Sequence, residues 1–135
     1  MWRPYPLRFY KACRIVTLVE AQGGHLTNPS LDLPQGTVDL LILKALSLQA
    51  MHGWAIAQRI HQVSRTALEI PQGSLYSALH RLERRGWIRA EWGVSDNNRK
   101  AKFYQLTRTG RKQLVAESED WARLTTAVAL VLDMG

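Results

Sequence analysis

The chain has 135 residues, 46% of them hydrophobic, with a net charge of +7 and a pI near 10.1. That length suits one domain with appendages, and the hydrophobic share excludes a wholly disordered chain. The basic balance favours an anionic partner, nucleic acid or a membrane surface. The charge is uneven: +2 on residues 1–33, +8 on residues 34–112 and −3 on residues 113–135. Cys13 is the only cysteine, so an intrachain disulfide is excluded and a reducing, cytoplasmic setting is expected. No apolar run approaches the roughly 18 residues of a membrane span. Arg3, Arg8, Lys11 and Arg14 break up the apolar residues near the start, which argues against a signal peptide.

Residues 1–33 read as an N-terminal extension, poorly ordered or carrying a short amphipathic helix from Leu7 to Ala21 that Gly23-Gly24 stops. The domain proper starts at Pro34. Thr37 is the expected N-cap of a first helix, with Asp39 in its first turn, where a negative charge is favoured. Val38 to Leu48 is apolar almost all round, which predicts a core helix. Gln49 to Gly53 reads as a short connection. A second helix is expected from Trp54 to Val63, with Ile56, Ala57, Ile60 and Val63 inward. His52 and His61 share no helix face and have no cysteine near them, so no metal site is expected. Leu68 and Ile70 are expected to plug the core from the next connection.

A third helix follows Pro71. Leu75, Ala78, Leu79 and Leu82 make its apolar face. The other side carries Gly73, Ser77, His80, Arg81 and Arg84, with Tyr76 at the border and Glu83 as the only acid. A solvated helix face usually mixes acids and bases. This one offers donors, an aromatic ring and cations, which suits a polyanion. Gly86 is placed to stop the helix. Trp87 to Trp92 and Ala101 to Leu106 then read as two strands around a turn rich in Asn and Asp. The turn and its returning side carry Asn97, Asn98, Arg99, Lys100 and Lys102, a cluster that suits phosphate contact. Trp87 and Trp92 read as packing residues. Thr107 can cap a last helix running to about Leu132. Leu114, Trp121 and Val128 recur at sevens, with Leu124 and Val131 three residues after the last two, which predicts a short heptad seam for a second copy.

Three helices, a hairpin and a dimerising helix predict a mainly α fold with a small β-hairpin (α+β), a winged helix-turn-helix with a C-terminal dimerisation helix. The boundaries are 1–33 for the extension, 34–106 for the DNA-binding domain and 107–135 for the dimerisation helix. Within this plan, Gly73-Ser74-Leu75-Tyr76-Ser77-Ala78-Leu79-His80-Arg81-Leu82-Glu83-Arg84-Arg85-Gly86-Trp87-Ile88 and Phe103-Tyr104-Gln105-Leu106-Thr107-Arg108-Thr109-Gly110-Arg111 resemble the PadR family of transcriptional regulators. Asp39 to Leu46 and His52 to Ala57 are similar to the family's first two helices. The resemblance covers about residues 34–115. It departs at Ser77, where the family often has proline, and at Asn97 to Lys100, where the family often has Gly-Arg. It implies a dimeric repressor on a palindromic operator, of the smaller subgroup with a single short C-terminal helix. Members of the family can also bind small aromatic or drug-like effectors between the wing domains and the dimer helices; Trp121 is the candidate contact for one, its first reading being an anchor of the dimer interface.

The expected DNA contacts are Gln72, Gly73, Ser74, Tyr76, Ser77, His80, Arg81 and Arg84 on the third helix, and Asn97, Asn98, Arg99, Lys100 and Lys102 on the wing. Ser74 and the N–H groups near Gly73 suit a phosphate. Tyr76, Ser77, His80 and Gln72 suit base edges or the adjacent backbone, and Arg81 and Arg84 suit phosphates. Leu114, Trp121, Leu124, Val128 and Val131 are the expected dimer interface. The alternative is a winged-helix module that binds protein and not DNA. No Ser/His/Asp order, phosphate loop, zinc motif or paired carboxylates point to an enzyme, and no cofactor is expected.

Overall fold

The computed structural model describes residues 33–135; the segment Leu7–Ala21, expected as an amphipathic helix, lies outside the described residues. Helix α1 (Gln35–Leu46) starts two residues before the expected cap. The Pro34 carbonyl accepts from the N–H of Thr37 at 3.0 Å and of Val38 at 3.2 Å, so Thr37 is already inside the first turn. Val38, Ile42, Leu43, Ala45 and Leu46 are buried, as the all-round apolar pattern requires.

The connection after α1 hides a strand. β1 (Met51–His52) pairs antiparallel with the returning strand of the hairpin, Met51 opposite Tyr104 and His52 opposite Phe103. Two residues are too few to show a period of two, so no pattern in the sequence marks it. Helix α2 (Gly53–Val63) is capped by the His52 ring, whose Nδ1 accepts from the Ala55 N–H at 3.3 Å. Ile56 and Ile60 are buried, while Val63, expected inward, is exposed at the helix end. The turn that follows has Arg65 and Thr66 at φ 53° and 66°, conformations uncommon for residues with a side chain. Ser64 Oγ steadies it by accepting from the Leu68 N–H at 3.0 Å. Ile70 is buried and Leu68 packs on the core, as expected.

Helix α3 (Gln72–Arg84) buries Leu75, Ala78, Leu79 and Leu82 to 2% exposure or less. Full burial of each leucine contributes about 2 kcal/mol. Gly86, at φ 75°, ends the helix. The Trp87 N–H bonds back to Leu82 O at 3.1 Å and the Gly86 N–H to Glu83 O at 3.0 Å, the paired closure of a glycine-terminated helix. β2 (Ile88–Val94) and β3 (Lys100–Leu106) form the hairpin, and the sheet order is β1-β3-β2. Helix α4 (Arg108–Leu132) is capped by Thr107, whose Oγ1 accepts from the Gly110 N–H at 3.0 Å. The same hydroxyl donates to Gly86 O at 2.7 Å, and Thr107 N–H to Trp87 O at 3.0 Å. The foot of α4 is thereby joined to the end of α3 and the start of the hairpin. A Cβ on Gly110 would lie 2.0 Å from Trp87 O, so only glycine allows this approach.

Candidate nucleic-acid interface

The outer face of α3 is open. Gln72, Gly73, Ser74, Ser77, His80 and Arg84 are exposed, and Tyr76 is 46% exposed. The Tyr76 ring is not loose. It lies against Gly53, where an added Cβ would be 3.1 Å from Tyr76 Cε1. The glycine at the start of α2 therefore lets the Tyr76 ring seat itself. Tyr76 and Trp54 flank an open cleft of about 350 Å³ that also takes in Gln58, His61, Glu69 and Gln72.

The wing stands beside this helix. Lys102 Nζ reaches Glu83 at 3.4 Å and lies 5.7 Å from the Tyr104 ring centroid, so it braces the hairpin against α3. The tip is a built turn. Ser95 N–H donates to Arg99 O and Asn98 N–H to Ser95 O, both at 2.8 Å. Asn98 holds φ 58°, a conformation asparagine tolerates well. Asn97, Arg99 and Lys100 are exposed around it. Among the described residues, no carboxylate pairs with Arg84, Arg99 or Lys100.

Four residues differ from expectation. Asp39 does not serve the α1 N-terminus. It is 4% exposed and bound to Arg81: Nη2 donates to Oδ1 at 2.5 Å and Nε to Oδ2 at 3.3 Å. Arg81, expected to hold a phosphate, is thus directed inward, because a buried carboxylate left unpaired is costly. Trp92, expected to pack, is 66% exposed with Lys100 Nζ 5.3 Å above its ring. It shares the face of Ile88 and Ala90, but the hairpin runs out past the helices that cover those two. Leu114, the first residue of the expected seam, packs on the domain's own core. By contrast Trp87 packs on the core as expected, with Arg85 4.9 Å over its ring; Tyr104, which could have been core or contact, is buried. A signal for the Arg81 pairing was present in the sequence, since a lone acid on an otherwise apolar helix demands a partner.

His52 has a structural role, stacking on Trp54 at 6.3 Å and meeting Phe103 edge-on at 5.5 Å. Among the described residues no group of three metal-ligating side chains comes together, and no helix is long and apolar enough to cross a membrane.

A donor-rich helix and a basic hairpin set side by side on a small helical core define a winged helix-turn-helix, the fold of a DNA-binding protein. The chain belongs to the PadR-like family of transcriptional regulators, whose profile matches residues 42–116. It is similar to a transcriptional regulator from Clostridium thermocellum, with 27% identity and a TM-score of 0.65 over 70% of this chain and 92% of that one. A PadR family regulator from Clostridium difficile is 26% identical, with a TM-score of 0.61 over 70% of this chain and 97% of that one. An uncharacterized protein X of Lysinibacillus sphaericus is 26% identical over 102 residues, 76% of this chain and 94% of its own length. The family is one of regulators rather than of enzymes.

Proposed function

We propose that the chain is a dimeric, cytoplasmic repressor that binds a palindromic operator in double-stranded DNA. The observation that carries this reading is the exposed face of α3, rich in donors and held beside a basic wing by the Lys102–Glu83 pair. Each α3 enters a major groove, with half-sites about one turn (~34–36 Å) apart. Gln72, Tyr76, Ser77 and His80 read base edges or the adjoining backbone. Ser74, the N–H groups near Gly73, and Arg84 hold phosphates. Asn97, Asn98, Arg99 and Lys100 hold backbone beside the minor groove. Lys102, shared with Glu83, adds charge from behind.

Two copies pair through α4. Trp121, Leu124, Val128 and Val131 are 44%, 55%, 47% and 63% exposed, an apolar row left uncovered in the single chain. Leu114 anchors the root of that helix in its own domain. A small aromatic or drug-like effector stacking on Trp121 would act where the two chains meet. The test is a mobility shift followed by footprinting on the DNA upstream of the gene. A protected palindrome, lost at the promoter when α4 pairing is broken, is the expected result. The absence of any shift at low salt would leave a protein-binding winged helix as the better reading.

A further inference from the structure

Arg81 sits in the middle of the face that α3 turns outward, between the turn of Ser77 and that of Arg84. By position alone it belongs with the phosphate contacts. Its guanidinium is directed elsewhere. Asp39 takes Nη2 and Nε, using both carboxylate oxygens. The Gln35 amide lies beside them; with its oxygen and nitrogen exchanged, the orientation that satisfies both atoms, the oxygen accepts from Nε at 3.0 Å and Nη1 at 3.1 Å. All three guanidinium nitrogens are therefore bonded to α1. The Asp39 side chain is 6% exposed and that of Arg81 23%, so the pair is screened from water. A planar fork gripped at three nitrogens fixes rotation as well as distance, which a lysine in the same place would not do.

We propose that Arg81 is a positioning residue for operator recognition and not a DNA contact. Asp39 withholds it from phosphate, and the Asp39–Arg81–Gln35 clamp sets the rotation of α3 about its own axis against α1. That rotation decides where Tyr76, Ser77 and His80 point. Leu75, Leu79 and Leu82 hold α3 down, but a row of leucines tolerates sliding and rolling that a three-point hydrogen-bonded fork does not. The clamp supplies register where the apolar face supplies adhesion. This inference rests on the DNA-binding reading above and adds a division of labour among its arginines: Arg84 neutralises the backbone, and Arg81 aims the reader.

Salt dependence separates the two roles, because removing one cation that neutralises a phosphate lowers the slope of log K against log[salt] by about one. The experiment uses the full chain and two duplexes, the upstream promoter fragment and a scrambled fragment of equal length. Five proteins are compared: wild type, Arg84→Gln, Arg81→Gln, Arg81→Lys and the doubly substituted Asp39→Asn/Arg81→Gln, which keeps the net charge. Arg84→Gln should lower the slope by about one on both duplexes and leave the preference between them intact. Arg81→Gln and the double variant should keep the wild-type slope but lose at least tenfold of the preference for the promoter. Arg81→Lys should not restore that preference, since it returns the charge without the fork. If Arg81→Gln alone fails to fold, the double variant decides, having no unpaired buried charge. A slope reduced by about one in the double variant, with preference retained, would make Arg81 a phosphate contact and overturn the proposal. If wild type shifts neither duplex, the DNA-binding reading itself fails.

Discussion

Gly110 is where α4 meets the root of the hairpin most closely. Alanine there would place its methyl group 2.0 Å from Trp87 O and 2.8 Å from Leu106 Cδ1. Neither the backbone carbonyl nor the foot of a capped helix can retreat cheaply, so Gly110→Ala should cost on the order of 3 kcal/mol. Thermal or urea denaturation measures this, and a loss under 1 kcal/mol would mean the helix foot is free to shift. Tyr104 gives a second test at this scale. Burial pushes its phenol above its ordinary value near 10, against the pull of the Lys102 ammonium. The folded chain thus holds the phenol proton more tightly than the unfolded chain. The associated stability is present below about pH 10 and falls as pH rises through the raised value. Tyr104→Phe should flatten the alkaline limb of the stability curve above about pH 10. An unchanged limb would show that other groups control it.

At the scale of elements, the proposed complex divides the work of binding between α3 and the wing. Tyr76→Ala or His80→Ala should weaken promoter binding more than binding to scrambled DNA. Lys100→Ala should weaken both about equally and reduce the salt slope by about one. A change in sequence preference without a change in slope for Lys100→Ala would reverse these roles. The same elements show what a one-dimensional reading can reach. The helices were legible because apolar residues recur at 3.6, and the ends at Gly86 and Thr107 because their side chains allow or make the needed caps. The first strand was not, since Met51 and His52 owe their pairing to a partner about 50 residues away. The start of α1 was misplaced because the Pro34 carbonyl accepts from the Thr37 and Val38 N–H groups, so the first turn forms before Thr37 and leaves its hydroxyl no cap to make. Arg81 shows the limit for the site. Helical spacing tells which side a residue leaves from, but not that a long side chain bends back to a carboxylate 42 positions away.

For the molecule as a whole, the charge split sets +8 on residues 34–112 against −3 on residues 113–135. The outer row of α4 is the longest run of exposed apolar side chains among the described residues. Leu124→Glu puts a charge in that row without touching the core, so the monomer should stay folded while pairing weakens. Light scattering with circular dichroism should report a monomer of native helicity near 15.4 kDa. Promoter affinity should fall at least tenfold, because two half-sites then bind independently. A variant that stays dimeric would move the interface to another face.

The join at the foot of α4 has a mechanical consequence. The helix has 25 residues, so at 1.5 Å each it is an arm of about 37 Å fixed at one end by Thr107 and Gly110. Rotating such an arm by about 5° swings its far end by about 3 Å, roughly the rise of one base pair. In the proposed dimer the far ends meet and the fixed ends carry the readers. A slight change of crossing angle at the meeting point is then delivered to the DNA as a change in half-site spacing. The weld at Gly110 is the fulcrum, and its stiffness determines how much of a disturbance at the tip arrives at the groove.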